Sequence, residues 1–255
     1  MKDIKIVIAT HKQYCMPKDQ LYLPLQVGAA IHENLEYTKD DSIVDNISAK
    51  NSTYCELTGL YWLWKKLDNE YVGLVHYRRY FVGKRRFKGK YGNIITSEEL
   101  DGLLNDYELL LPKKRHYFIE TNKSQYLHSH HHEGYYMTEK AIDELYPEYK
   151  ISWNKVMKKR SGHRFNMFIM KKSLLNDYCE WLFNILSYVE KNVDISTWSK
   201  SEQRIYGYLS ERLFDVWIDK NNIKYKNIPY KFIEKQNWTK KILKFIIRKF
   251  RKSRN

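Results

Sequence analysis

The sequence predicts an α/β fold in which a sheet and its helices form one domain. Residues 4–10 (IKIVIAT) form a short, continuously apolar and β-branched run, which is typical of a strand buried on both faces of a parallel sheet. Amphipathic helical patterns alternate with further strand-like runs along the rest of the chain. No internal repeat or low-complexity linker separates these segments, so a single α/β domain is expected.

Eight segments are predicted as secondary structure, from apolar side chains at helical spacing or from short apolar runs. In chain order they are strand 4–10, helix 54–67, strand 71–81, helix 98–105, strand 107–111, strand 165–170, a helix that follows Ser173, and helix 201–219. The stretch 113–149 is less regular in pattern and rich in histidine.

The strands are bounded by polar or turn-forming residues. Strand 71–81 begins as an apolar run, becomes basic at its end and leads into a basic, glycine-containing loop, and Pro112 follows strand 107–111. The helices are assigned from their apolar stripes. For helix 54–67 the stripe is Leu57, Leu60, Tyr61, Trp64 and Leu67. Ser173 is expected to cap the next helix, whose stripe is Leu174, Tyr178, Leu182, Ile185 and Val189. In helix 201–219 the expected inward face is Ile205, Leu209, Leu213 and Val216.

Composition indicates a folded protein with an anionic partner. The chain is 43% hydrophobic and 29% charged, which excludes a disordered chain, and its formal net charge is +15. Much of that charge lies near the end of the chain, where no acid is present. The basic residues there are Lys240, Lys241, Lys244, Arg248, Lys249, Arg251, Lys252 and Arg254.

The last residues differ in character from the rest, so the chain is divided into a domain at 1–236 and a basic tail at 237–255. Apolar residues recur in the tail at helical spacing. They are Trp238, Ile242, Leu243, Ile246, Ile247 and Phe250. This pattern predicts an amphipathic helix lying on an anionic membrane surface. A solvated basic tail or a nucleic-acid arm is the alternative, but neither requires the apolar stripe.

The cysteines and the apolar runs predict a cytoplasmic location. Three widely spaced cysteines indicate neither a disulfide framework nor a metal knuckle, so a reducing compartment is expected. The first residues do not resemble a signal peptide, and no apolar run reaches the ~18 residues that a membrane-spanning helix needs.

The segment His76–Phe81 (HYRRYF) is the strongest candidate site. If it continues a strand, His76 and Arg78 share one face, and Tyr77 and Arg79 share the other. Adjacent arginines at the end of a buried strand suit a diphosphate, although arginines paired with structural carboxylates would give the same pattern. Thr10, His11 and Lys12 end the first strand and are expected near the same crevice.

Two further clusters carry titratable groups. Within helix 201–219, Arg204, Gly207 and Glu211 share a stripe, and Glu211 is a candidate base, with an exposed ion pair as the alternative. Four histidines, followed by Glu133, form the other cluster: His128, His130, His131 and His132. Their spacing is poor for one metal site, so a surface histidine run is the favoured interpretation and no metal ligand is assigned.

Five segments together resemble a known family. They are IATHK at 8–12, NSTYCELTGLYWLWK at 51–65, GLVHYRRYF at 73–81, FNMFIMK at 165–171 and QRIYGYLSERL at 203–213. They are similar to the DUF4422 family, which occurs in capsular and exopolysaccharide gene clusters and is assigned there to glycosyl transfer. The resemblance covers residues 4–233 and implies a GT-A-like, Rossmann-related fold.

The resemblance also implies a UDP-sugar donor, with galactose or galactofuranose favoured, and a lipid-linked oligosaccharide acceptor at the inner face of the cell membrane. HYRRYF occupies the strand where GT-A enzymes place an Asp-x-Asp motif, which this sequence lacks. Arginine and histidine are therefore expected to neutralise the diphosphate, although Mn²⁺ or Mg²⁺ remains possible.

By the same resemblance, three residues are expected at the acceptor: Arg164, Asn166 and Met167. The family does not identify the catalytic base, and Glu56, Glu202 and Glu211 are all candidates. Glu211 is the first choice for its helix stripe, and Glu56 is the second because it lies in the most distinctive motif. The alternative function is a non-catalytic binder of anionic polymer or nucleic acid. Since the basic residues lie at one strand end and in the tail, not along a continuous groove, no nucleic-acid partner is expected.

Overall fold

The computed structural model of the chain describes residues 1–86 and 88–234. The predicted tail at 237–255, including its amphipathic helix, lies outside the described residues. Within them, no helix has both the length and the apolar character needed to cross a membrane.

Strands and helices alternate along the described chain. The strands are β1 Ile4–Thr10, β2 Tyr22–Gln26, β3 Thr38–Lys39, β4 Tyr71–His76, β5 Arg79–Phe81, β6 Leu109–Pro112, β7 Arg115–His116, β8 Ser161–Gly162, β9 Phe168–Lys171, β10 Tyr225–Ile228 and β11 Tyr230–Phe232. The α-helices are α1 Asn51–Tyr54, α2 Leu57–Lys66, α3 Ser97–Leu103, α4 Asn122–Ser129, α5 His132–Leu145, α6 Lys150–Lys158, α7 Lys172–Asn192 and α8 Ile205–Lys220. Short 3-10 helices occupy Ala29–Ile31, Ser48–Lys50 and Pro147–Tyr149.

The main sheet is mixed and mostly parallel, which confirms the predicted α/β class. Its strand order is β10-β6-β9-β4-β1-β2-β3, with β5 paired to both β4 and β11. Strand β1 runs parallel to β2 and β4, whereas β9 is inserted antiparallel between β4 and β6. Strands β7 and β8 form a separate antiparallel ribbon.

Strand β1 is buried on both faces, as its continuous apolar run predicts. Val7 and Ala9 face one hydrophobic cluster, which includes core residues of α2, α7 and α8. Ile4, Ile6 and Ile8 face the other, which includes Leu100 of α3. Because helices cover both faces, polar groups on the strands reach solvent only at the sheet's edges and ends.

Several predicted boundaries are wrong. The stretch 113–149 contains two helices, α4 and α5, in place of an irregular region. Strand 165–170 begins only at Phe168, because Phe165 and Asn166 have positive φ angles of 78° and 51°. Helix α7 begins at Lys172 with Lys171 at its N-cap, so Ser173 lies inside the first turn.

The predicted continuous strand 71–81 is interrupted. It stops at His76, turns through Tyr77 and Arg78, and returns antiparallel as β5. In this hairpin His76 lies opposite Arg79, whereas Arg78 lies in the turn. The predicted alternation of faces is therefore wrong, because the backbone reverses where the sequence pattern suggested it would continue.

Candidate active site at the carboxyl ends of the strands

A cavity of about 710 Å³ opens where β1 and β4 end. Its wall is built from the residues after these strands, the junction of α1 and α2, the β7 ribbon, the turn before β9, and one face of α8. Ligands of open α/β sheets bind at this edge, because the carboxyl ends of parallel strands leave a crevice there.

The wall is rich in arginine. Six of its residues are guanidinium-bearing: Arg78, Arg79, Arg115, Arg164, Arg204 and Arg212. Two carboxylates, Glu56 and Glu211, face the same space. Guanidinium groups stay charged and bind phosphate oxygens in a bidentate manner, so the cavity suits an anionic ligand that carries phosphate.

The arginines fall into two groups by burial. Arg164 and Arg212 are 4% and 3% exposed. Arg164 Nε donates to Tyr117 Oη at 2.6 Å, and Arg212 Nη1 donates to the Tyr208 carbonyl at 2.7 Å. These two build the cavity floor. Arg78, Arg115 and Arg204 are exposed and Arg79 is partly buried, so this second group is better placed to meet a ligand.

Arg78 and Arg79 have different environments although they are adjacent. Arg78 Nη1 lies 3.2 Å from Glu234 Oε2, and its side chain is 44% exposed. The Arg79 guanidinium lies 4.4 Å from the centroid of the Phe165 ring. An exposed ion pair such as that of Arg78 contributes little to stability, so this arginine can exchange Glu234 for a ligand at low cost.

Glu56 lies immediately before α2 and lines the cavity. Its Oε1 accepts a hydrogen bond from Asn166 Nδ2 at 2.7 Å. Burial raises the pKa of Glu56 above its ordinary value of 4.5, and the Asn166 amide and Arg204 oppose that shift. A carboxylate with a raised pKa accepts a proton more readily near neutral pH than an ordinary glutamate does.

The turn before β9 holds both cavity carboxylates. The Phe165 N–H donates to Glu211 Oε1 at 2.8 Å, while the next residue, Asn166, binds Glu56. Phe165 has a φ of 78°, which is a strained conformation for a bulky residue. Such strain persists only where surrounding contacts fix it, and it is common at functional sites.

His76 is a neutral member of the site. Its Nε2–H donates to the Phe165 carbonyl at 2.5 Å. Burial, together with the positive charge of Arg79, lowers the pKa of His76 to about 3. His76 therefore fixes the strained turn and brings no positive charge to the cavity near neutral pH. Burial and the adjacent Lys12 also lower the pKa of His11.

The junction of α1 and α2 meets α8 at Gly207. Cys55, at this junction, has a φ of 54°, and its Sγ accepts a hydrogen bond from Arg204 Nε at 3.0 Å. A Cβ placed on Gly207 would lie 3.6 Å from Cys55. The group that faces this helical glycine is therefore the Cys55 side chain. Burial raises the pKa of the Cys55 thiol to about 11.

The structure brings most of the predicted site residues together. Those that line the cavity are His11, Glu56, His76, Arg78, Arg79, Arg164, Arg204 and Glu211. Four other predicted residues are not among the described lining residues: Thr10, Lys12, Met167 and Glu202. Asn166 is also outside that set and reaches the site through its bond to Glu56.

Physical reasons place three of these residues elsewhere. Thr10 is fully buried, and its hydroxyl donates to the Lys12 carbonyl at 2.7 Å. Met167 is 1% exposed and packs in the core cluster that contains Leu100. Glu202 accepts from Ser199 Oγ at 2.7 Å, and its other oxygen lies 3.4 Å from His131 Nε2.

Other lining residues escaped the sequence patterns. Tyr208 and Arg212 follow Arg204 at steps of four, so the same helical stripe could have identified them. Arg115 lies in strand β7 and Tyr117 follows that strand, in the stretch 113–149, where no periodic pattern indicated a role.

The histidine cluster does not converge on one point. His128 Nδ1 bonds Glu120 Oε1 at 2.7 Å, and His132 Nε2 donates to the Leu127 carbonyl at 2.9 Å. The ring of His130 stacks on Tyr208 at 4.1 Å, and the ring of His131 stacks on Trp198 at 4.0 Å. Across residues 1–86 and 88–234, no three His, Cys, Asp or Glu side chains are grouped as metal ligands.

Comparison with known proteins identifies the family. Residues 5–222 match a family described as a domain of unknown function, DUF4422. Among solved structures, the chain is similar to the apo structure of WbbM, a bifunctional glycosyltransferase, with a TM-score of 0.83 and 29% sequence identity. That match covers 91% of this chain and 46% of the WbbM chain, so this chain spans less than half of its relative. No curated protein matches the chain. Since the family match extends over most of its length, the protein belongs to the DUF4422 family.

Proposed function

We propose that this protein is a glycosyltransferase with a GT-A-like fold, which transfers a hexose from a UDP-sugar to a lipid-linked oligosaccharide during synthesis of a surface polysaccharide. The observation that carries the proposal is the similarity of 91% of the chain, at 29% identity, to a structure of a bifunctional glycosyltransferase. The charges of the cavity agree with it. The choice of galactose or galactofuranose as the sugar rests on the family resemblance alone.

The donor diphosphate is proposed to bind the exposed arginines of the cavity. Arg78 lies in the turn after β4, Arg79 begins β5, and Arg204 immediately precedes α8. Together these guanidinium groups offset the charge that develops on the diphosphate as it leaves. His11, also in the cavity wall, has a lowered pKa and is proposed to contact the donor as a neutral ring.

Glu56 is the proposed base, ahead of Glu211. In the reaction the acceptor hydroxyl oxygen bonds to the anomeric carbon, its proton passes to Glu56, and the bond from that carbon to the diphosphate breaks with its electron pair leaving on UDP. The raised pKa of Glu56 suits proton acceptance near neutral pH. Glu211 accepts a hydrogen bond from the Phe165 N–H and lies within 4 Å of Arg164 and Arg212. It is therefore proposed to position the turn before β9.

The described residues do not offer a donor set that fits a divalent ion. Hard cations such as Mg²⁺ and Mn²⁺ prefer several oxygen ligands, whereas the cavity presents two carboxylates held by an amide, a backbone N–H and guanidinium groups. We therefore assign no step to a metal. Activity that disappears in chelator and returns with Mn²⁺ would contradict this assignment.

The acceptor is proposed to enter past the aromatic side of the cavity, where Tyr117, Tyr208 and the ring of His130 lie. Aromatic rings offer apolar faces on which sugars can stack. Arg164 and Asn166 lie beneath this side as supports, since both are buried and hydrogen-bonded within the protein. A lipid-linked acceptor would place the enzyme in the cytoplasm, peripheral to the inner face of the membrane, with the basic tail as one contact.

Calorimetric titration of the full chain with UDP, GDP and CMP, with and without Mn²⁺, tests the proposal. Selective binding of UDP in the absence of metal is expected, because the cavity supplies its own positive charges. Selective binding of GDP or CMP would instead assign the donor to the sugars carried by that nucleotide. Failure of all three to bind to a folded sample would favour the alternative, a non-catalytic binder of anionic polymer.

A further inference from the structure

Exposed apolar and basic side chains lie together at one edge of the cavity. Phe118 and Ile119 are 85% and 59% exposed. They follow Arg115 and Tyr117, which line the cavity. Large apolar side chains that protrude next to a functional cavity are typical of surfaces that contact another phase or partner. We call residues 117–120 the rim loop.

The rim loop is held in place by hydrogen bonds to the backbone and the side chain of Arg160. The Tyr117 N–H donates to the Arg160 carbonyl at 2.8 Å, and Arg160 Nη1 donates to the Phe118 carbonyl at 3.3 Å. Phe118 itself has a φ of 50°, which is unfavourable for an aromatic residue. The fold therefore maintains a strained backbone that exposes Phe118, and its anchors keep the loop tip protruding.

The surroundings of the loop tip are basic. Lys113, Arg115, Lys123, Lys158 and Arg160 are all exposed. The one acid in the stretches 113–123 and 158–160 is Glu120, which is 7% exposed and bonded to His128 at 2.7 Å. The exposed charge around Phe118 and Ile119 within these stretches is thus entirely positive.

We propose that the rim loop inserts Phe118 and Ile119 into the interface of an anionic lipid surface, while the surrounding basic residues contact the headgroups. Two apolar side chains are too few for a stable protein interface, which commonly buries about 800 Å² on each partner. Shallow insertion of a few apolar groups combined with basic residues is sufficient for an anionic membrane. This contact is separate from the basic tail and does not depend on the proposed reaction.

A polarity-sensitive fluorophore tests the insertion in the full chain. It is attached to Ile119→Cys in a Cys15→Ser background, because Cys15 is exposed and would also be labelled. The matched control is Val44→Cys. Val44 is fully exposed, but its sequence neighbours Asp41 and Asp45 are acidic, so an anionic surface should not attract it. Cys55 is present in both labelled variants, so any label that it takes up adds the same background signal to each.

With vesicles of phosphatidylcholine and phosphatidylserine, the label at position 119 should shift to shorter wavelength, and the label at position 44 should not. Vesicles of phosphatidylcholine alone should give a much smaller shift. A label at position 119 that stays in water while the protein sediments with the vesicles would overturn the proposal, even if the tail supports binding. A shift that grows with protein concentration without lipid would also overturn it, by assigning the loop to contacts between copies.

A second measurement does not use labels. The double change Phe118→Ser and Ile119→Ser should weaken partitioning onto anionic vesicles by at least about tenfold, because the apolar area that leaves water is lost. Val44→Ser should leave partitioning unchanged. Both side chains that are replaced are exposed, so the variants should keep the thermal unfolding temperature of the parent. Equal partitioning of the double variant and the parent would overturn the proposal.

Discussion

Arg78 lies at the cavity wall in an exposed ion pair with Glu234, from which a ligand can displace it. We expect Arg78→Ala to weaken UDP binding by more than about tenfold, because a charge-assisted contact to a diphosphate contributes more than ~1.4 kcal/mol. Calorimetric titration measures the change. Arg85→Ala is the matched control, since Arg85 forms a comparable exposed ion pair with Glu98 at 3.4 Å but is not among the described residues of the cavity wall. Equal affinities of the two variants would remove Arg78 from the donor site.

The Glu56 carboxylate is partly buried and has a proposed chemical role, so its replacement should lower activity and raise stability near neutral pH. We expect Glu56→Gln to lower kcat by at least about a hundredfold, the lower range for loss of a general base. Glu202→Gln is the control, because Glu202 is bonded to Ser199 outside the cavity. A Glu56→Gln variant with the activity of the control would exclude Glu56 as the base.

The pH dependence of both effects follows from the raised pKa of Glu56. The base must be ionised to accept a proton. Therefore kcat/KM should fall as the pH drops through the pKa of Glu56, which lies above 4.5. The folded state binds this proton more tightly than the unfolded state does. Ionised Glu56 therefore destabilises the fold at pH values above its folded pKa, and this effect vanishes below 4.5. Glu56→Gln should raise Tm near neutral pH, by an amount that shrinks towards pH 4.5. An increase in Tm that does not depend on pH would contradict this linkage.

At the scale of single residues, the sequence predicted which side chains meet at the cavity better than the environment of each side chain. The HYRRYF segment and the stripe of Arg204, Gly207 and Glu211 supply seven of the residues that line the cavity, the other four being His76, Tyr77, Arg78 and Arg79. The neutral state of His76 was not predictable, because it arises from burial and from Arg79 across a hairpin. The inward packing of Met167 depends on where β9 begins, which the local pattern does not specify.

Elements with aliphatic cores were predicted well, and those with polar or aromatic faces were not. Strand β1 and the inward stripe of α8 match their predictions because aliphatic residues form a continuous run in β1 and recur at helical spacing in α8. Helices α4 and α5 were missed because few aliphatic residues mark their buried faces. Those faces consist of Asn122, Tyr126, Gly134, Tyr135, Thr138, Ala141 and Ile142.

Two glycines test the packing of the helices that carry the site. Gly207→Ala places a methyl group 3.6 Å from Cys55, an ordinary contact, so the better helix propensity of alanine should stabilise the fold by up to about 1 kcal/mol. Gly134→Ala on α5 would place its methyl group 2.5 Å from Ile205 Cδ1 and 2.7 Å from Tyr126 Oη. This overlap should destabilise the fold by about 1–3 kcal/mol.

Thermal unfolding of the two glycine variants provides the measurement, and each variant is the control for the other. The same chemical change in two helices should move Tm in opposite directions. A decrease of Tm for Gly207→Ala as large as that for Gly134→Ala would contradict the described contact between α8 and the α1–α2 junction.

For the molecule as a whole, the tail predicted at 237–255 and the rim loop are two separate proposed contacts with an anionic surface. Deleting residues 238–255 should remove most binding to anionic vesicles without lowering Tm, because the apolar stripe and the basic residues of the tail are removed together. Vesicle sedimentation and thermal unfolding measure the two effects. Undiminished sedimentation of the shortened chain would discard the tail prediction, and loss of cooperative unfolding would assign those residues to the fold.

The antiparallel insertion of β9 determines when the molecule can assemble. Strand β4 ends at His76 and β6 spans Leu109–Pro112, but they are joined only through β9, which begins at Phe168. During synthesis on the ribosome, the edges of β4 and β6 that pair with β9 therefore stay unpaired until β9 emerges. The other edge of β6 stays unpaired until β10 emerges. Such a high contact order predicts slow folding and exposure to aggregation. The turn before β9 and helix α8 supply cavity residues from Arg164 to Arg212, so the cavity wall of a nascent chain is complete only after these segments have emerged.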